Sequence, residues 1–138
     1  MNPQLLPERD IGTRIEELRS IKNGWLDGKG IAPDQTALDW VSKQFHTNYP
    51  EELTLPYIYP TTEGGLQVEW DIEEQDISLE INLLKHTAEW HRLNLVTNED
   101  ENSLLNLDKS DDWGWINAQI EQYQHPVTET LITDISVR

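Results

Sequence analysis

Residues 60–72, Pro-Thr-Thr-Glu-Gly-Gly-Leu-Gln-Val-Glu-Trp-Asp-Ile, constrain this chain more than any other stretch. A turn-forming Glu63-Gly64-Gly65 leads into strict alternation. Leu66, Val68, Trp70 and Ile72 point one way, and Gln67, Glu69 and Asp71 point the other. A side-chain period of two is that of a half-buried β-strand, entered here through a glycine turn. Any fold for the chain must supply a sheet with one core face and one polar face.

Before this strand the periodicity is helical. Between Glu8 and Lys22, residues Ile11, Ile15, Leu18 and Ile21 make one stripe, while Arg14, Glu16, Glu17 and Arg19 face water. Asp10 or Thr13 can cap the start. Residues 1–8, with Pro3 and Pro7, read as a flexible lead-in. The segment from Asn23 to Asp34 holds Gly24, Gly28 and Gly30 around Trp25. A phosphate loop is excluded by context: no strand precedes it, and it lacks the Gly-Lys-Ser/Thr ending. Gly24 is expected to end the first helix, with Trp25 as an apolar plug under the loop. Pro33 or Asp34 begins a second helix. It buries Ala37, Leu38, Val41 and Phe45, carries Trp40 on its flank and ends near His46.

Leu55–Pro60 reads as a short edge strand, because proline is confined to edges and strand ends. After the strand at 66–72 come a turn at Glu73–Asp76, a third strand at Ile77–Leu83, a turn at 84–88 and a fourth strand at Glu89–Val96. Residues 97–109 are acidic and Asn-rich and read as a loop pinned by Leu104, Leu105 and Leu107. Ser110 then starts a third helix. Asp111 and Asp112 in its first turn suit the helix dipole, and Trp113, Ile116, Ile120 and Tyr123 lie along one face to about Gln124. Residues 126–138 alternate at Leu131, Thr133, Ile135 and Val137, as a last strand or as a tail ordered on a partner. The expected architecture is a single α+β domain. Two N-terminal helices pack on one face of an antiparallel meander of about four strands, followed by a C-terminal helix and a possible final strand.

Charge bounds the function. The chain has 26 acidic side chains against 10 basic ones, a net charge of −16. Direct contact with nucleic-acid phosphates needs clustered Lys or Arg and is not expected. With no cysteine, disulfides, thiolate metal sites and a Cys nucleophile are excluded. The N-terminus lacks a basic region followed by an apolar run, and no stretch is apolar enough to span a bilayer, so a cytoplasmic protein is expected.

The polar sheet face offers one constellation for chemistry. Pairing Ile72 with Ile77 sets Glu69 opposite Glu80. The fourth strand then has two registers. With Trp90 on the core face, His91 falls beside Glu80 and completes a Glu69, Glu80, His91 row, a set that can ligate a divalent metal or move protons. With Leu93 and Leu95 on the core face, Arg92 falls beside Glu80 as a surface ion pair. The second register buries two leucines and keeps a guanidinium out of the core, so it is the expected one. No metalloprotease, nucleophile-elbow, P-loop or dinucleotide fingerprint is present. The aromatics offer a different kind of site. Trp40, Trp90 and Trp115 sit off the core stripes of their elements, and large exposed aromatics ringed by acids resemble an interface hot spot.

The combination of Gly24-Trp25, Gly28 and Pro33 with Pro60-Thr61, Gly64-Gly65 and Glu69-Trp70 resembles an uncharacterised family of small bacterial proteins. That family has a Gly-Trp loop, a helix, and a Pro-Thr-x-x-Gly-Gly-x-x-x-Glu-Trp hairpin. The likeness spans roughly residues 10–85 and implies a helix–helix–sheet order. It implies no activity and no catalytic residues, and Leu26-Asp27 departs from the loop pattern. The functional expectation is a non-enzymatic acidic module of a bacterium or its virus, without a cofactor. It binds a basic protein as an antitoxin, immunity protein or inhibitor would, through Trp40, Trp90, Trp115, Asp111 and Asp112. A small metal-dependent enzyme using Glu69, Glu80 and His91 is the alternative.

Overall fold

The structure, a computed structural model, describes residues 10–124. The lead-in at 1–8 and the segment 126–138 fall outside them. The chain runs α1 (Ile11–Leu18), α2 (Gln35–Asn48), β1 (Tyr57–Pro60), β2 (Leu66–Ile72), β3 (Gln75–Asn82), β4 (Thr87–Asn94), β5 (Asp100–Asn106) and α3 (Ser110–Gln124). The strands form one five-stranded antiparallel sheet in the order β1-β2-β3-β4-β5. This is the expected α+β meander with one strand more.

The helices start where the caps lie. The Asp10 carboxylate accepts from the Thr13 amide at 2.6 Å, and Asp34 accepts from the Ala37 amide at 2.9 Å, each satisfying an N–H that the first helical turn leaves unpaired. The apolar stripes enter one core with the inner sheet face: Ile15 and Leu18 of α1, Leu38, Val41 and Phe45 of α2, and Trp113, Ile116 and Ile120 of α3 are all buried. They meet Leu66, Val68, Trp70, Ile77, Leu79, Ile81, Ala88 and Trp90 from the strands. An aromatic seam runs through the middle, from Trp113 to Phe45, Tyr49, Trp70, Trp90 and Trp115, with successive ring centroids 5.0–6.2 Å apart.

The glycine-rich loop and the turn before β2 hold each other. The Ile31 amide donates to the Thr62 carbonyl at 2.9 Å, and the Ala32 amide donates to the Asn23 side chain at 2.8 Å. Trp25 lies against Gly30, whose φ is +95° and where a Cβ would fall 2.7 Å from the indole nitrogen. At Gly65 a Cβ would stand 2.5 Å from the Ile81 carbonyl oxygen, so only glycine lets β2 and β3 close here. Gly24, Trp25 and Gly30 and the Thr61–Gly65 turn are thus one packed joint.

Four expectations are corrected. Residues 100–106 form β5 and are not a loop, because Leu105 is buried beside Ala88 and the backbone pairs with β4. The β2–β3 loop is only Glu73-Glu74, so Ile72 faces Gln75 and Trp70 faces Ile77. This is a two-residue shift from the expected pairing, and it keeps every side chain on its face. It also moves Glu80 away from Glu69. The fourth strand takes the register with Trp90 inside: Leu79 faces Trp90, Ile77 faces Arg92, and Leu93 and Leu95 are not in the core. An indole buries more apolar surface than either leucine, and Arg92 is fully provided with partners, as described next. Finally, Arg14 does not simply face water; its Nε donates to the Ile58 carbonyl at 2.8 Å and ties α1 to β1.

Candidate functional site

Arg92 is the buried charged residue of the described core, 5 % exposed. Its Nε donates to Glu101 at 3.1 Å, Nη1 to Gln75 at 2.9 Å and Nη2 to Glu99 at 3.4 Å, and its guanidinium lies 5.0 Å from the centre of the Tyr123 ring. Burial alone lowers its pKa, but the bonds to Glu101 and Glu99 more than offset this and the pKa is raised. Its guanidinium is enclosed by these three partners and the Tyr123 ring. Every feature here is structural: the group binds β3, β4, β5 and α3 together.

The three tryptophans expected at an interface have different fates. Trp90 is wholly buried, edge-on to Trp115 at 5.1 Å, and so is no part of a surface. Trp115 is half-buried against the core. Trp40 stacks on His86 with centroids 3.7 Å apart and planes at 7°. Asp108 accepts from the Trp40 indole at 3.3 Å and lies 3.0 Å from His86 Nδ1. This ties α2 to the turn before β4 and to the segment before α3. Asp112 accepts from the Asn106 amide at 2.7 Å and closes the end of β5, while Asp111 is exposed in the first turn of α3. The aromatic surplus is therefore mostly core and clasp.

The alternative row of Glu69, Glu80 and His91 is not assembled. His91 does share the polar face with Glu69, because Trp90 points inward, but the shortened hairpin puts Ser78 between them. Their backbones stand two strands apart, about 10 Å. Glu80 lies between Gln67 and Glu89 in the next row. Among the described residues no group of three or more His, Cys, Asp or Glu side chains could hold a metal ion.

What the meander does create is an outer face that none of the described helices covers. From β1 to β5 it carries Tyr57 and Tyr59; Gln67, Glu69 and Asp71; Asp76, Ser78 and Glu80; Glu89, His91 and Leu93; and Asp100, Asn102 and Leu104. All described helices contribute their buried residues to the opposite face. No lysine or arginine of the strands lies on the outer face, and His91 is its sole titratable base. Leu104 is 82 % exposed in the middle of the edge strand β5. Glu80, Glu89 and Leu104 also border an open concavity of about 1020 Å³ that reaches the Gly64-Gly65 turn. Strand by strand, the polar half of each alternation is legible in the sequence; that nothing described covers it is not.

No family model, no curated protein and no solved structure matches this chain. No helix among the described residues is long and apolar enough to cross a membrane.

Proposed function

We propose that this protein is a non-enzymatic binding module that engages a basic protein through the outer face of its sheet, acting in a bacterial cytoplasm as an antitoxin, immunity protein or inhibitor acts. The observation that carries this reading is the sign of that face: Glu69, Asp71, Asp76, Glu80, Glu89 and Asp100 project from it with no lysine or arginine among them. Carboxylates opposed across a ladder, as Glu80 and Glu89 are, repel each other in the free protein. A cationic partner relieves that repulsion and is steered to the face by the net charge of −16. Exposed Asp111 can extend the contact beyond the sheet. Phosphate backbones carry the same sign as this surface and are not its target.

The test compares two variants of equal charge. One removes face carboxylates (Glu69→Gln, Asp71→Asn, Glu80→Gln, Glu89→Gln). The other removes carboxylates elsewhere (Asp27→Asn, Glu51→Gln, Glu52→Gln, Glu121→Gln). Binding to a panel of small basic proteins is followed by calorimetry at low and moderate salt. The face variant is expected to lose binding and the second variant to keep it, with affinity falling as salt rises. Equal loss in both variants would mean that net charge alone attracts the partner, and no binding by the parent protein would end the reading.

A further inference from the structure

The outer face is mostly polar and acidic, with Leu93 and Leu104 on its β4 and β5 side, and at its β1 edge two large rings stand side by side. Tyr57 and Tyr59 are two residues apart on one strand and so project from the same side. Their rings are nearly parallel, 15° between planes, with centroids 6.5 Å apart. Tyr57 faces Glu69 across the ladder and Tyr59 faces Gln67. The Gln67 amide donates to the Glu69 carboxylate at 3.3 Å, which fixes that carboxylate beside the rings. Asp71 follows on the same side and is exposed.

We propose that Tyr57 and Tyr59, with Glu69 and Asp71 beside them, form a binding site for a guanidinium group, an arginine side chain of the basic partner. The inference rests on the reading of the outer face given above and names the chemistry it recognises. Two kinds of attraction converge here. Aromatic faces attract a cation through the ring quadrupole, and a planar, weakly hydrated guanidinium also lies flat against them. A carboxylate at the ring edge accepts its N–H groups in pairs, which a lysine ammonium cannot match. The environment of Tyr59 shows the same field: its hydroxyl pKa is raised by burial and then by the negative charge of Glu69, with Asp71 adding to it. The chain's own Arg14 is near enough to act in the opposite sense on Tyr59, but its guanidinium is engaged by the Ile58 carbonyl and Glu17. β1 ends the strand order, with Arg14 of α1 on its Ile58 carbonyl, and both rings remain half-exposed.

The experiment titrates the full chain with two peptides of equal length and charge, one of arginines spaced by Gly-Ser and one of lysines in the same frame. The arginine peptide is expected to bind about 5- to 10-fold tighter, the scale of one cation–π contact plus a paired carboxylate bond. Tyr57→Leu with Tyr59→Leu is expected to erase the preference and leave both peptides bound equally through charge. Tyr57→Phe with Tyr59→Phe, which keeps the rings, is expected to retain it, and near-isosteric Glu69→Gln to reduce it with the fold intact. Equal binding of the two peptides by the parent protein overturns the arginine site and leaves the acidic-face reading standing. A preference that survives loss of the rings also overturns it. If neither peptide binds at low salt, both readings fall together.

Discussion

Single residues in this core are distinguished by where their polar atoms end. Trp70 and Trp90 are both buried, with ring centroids 6.2 Å apart. The Trp70 indole donates to the Tyr49 hydroxyl at 3.0 Å and to the Thr54 carbonyl at 3.2 Å. The Trp90 indole nitrogen has no partner among the described residues. Trp70→Phe therefore takes the donor from the buried Tyr49 hydroxyl oxygen and one of two donors from the Thr54 carbonyl, whereas Trp90→Phe removes a donor that was already costing stability. Both lose ring volume, so we expect Trp70→Phe to be the more destabilising by about 1–2 kcal/mol in urea unfolding. Equal losses would contradict this assignment. Tyr49 makes a second prediction. Its hydroxyl also donates to the Thr54 carbonyl, and burial pushes its pKa well up, with the Trp70 bond acting weakly the other way. Below the unfolded value of about 10 both states keep the proton, and the contribution is fully present. Above it the unfolded chain releases a proton that the folded state retains, so stability is lost as pH rises. Tyr49→Phe is expected to flatten the loss of stability between pH ~9.5 and ~11. Some slope remains, because burial raises Tyr59 and Tyr123 as well. An unchanged slope would show that Tyr49 is not the group responsible.

At the scale of elements, what was legible and what was not follows from where the information lies. The alternation of Leu66–Ile72 and the stripes of α2 and α3 are local, and each is found where its residues place it, whereas α1 stops at Leu18 with Arg19 as its cap, short of Ile21 and of the expected end at Gly24. Register was not local. All three hairpin turns of the meander from β2 to β5 place a non-glycine residue at positive φ: Glu73 at 54°, His86 at 60° and Asn98 at 64°. Glutamate in that conformation leaves no turn signal to read, so the two-residue Glu73-Glu74 loop could not be told from a longer one. Strand β5 was hidden for a related reason. Asp100-Glu-Asn-Ser-Leu-Leu-Asn106 has little intrinsic preference for a strand and forms one by pairing with β4. Arg92 was expected outside because its partners come from three separate segments, at Gln75, Glu99 to Glu101 and Tyr123. If Glu73 is strained as its φ implies, Glu73→Gly should raise stability by about 0.5–1 kcal/mol, despite glycine's greater unfolded-state entropy. Thermal and urea unfolding check this, and a loss of similar size would mean that Glu73 makes contacts that outweigh the strain.

For the molecule as a whole, the division of the sheet into two faces carries the functional argument. The inner face and the helices absorb most of the aromatics, including the tryptophans that looked like surface anchors. The polar residues of the candidate site were visible one strand at a time, but their common exposure depends on the three described helices packing on the other side. What matters most for function is which side of the sheet meets a partner. The most direct measurement is an amide and indole NMR titration of the protein with the arginine peptide at low salt. The predicted result is a set of shifts confined to β1 through β4 at outer-face positions, strongest at Tyr57, Tyr59, Glu69 and Asp71, with the indole signals of Trp90 and Trp113 unmoved. Shifts centred on Trp40, Trp115 and the surfaces of α2 and α3, or no shifts at all, would contradict it.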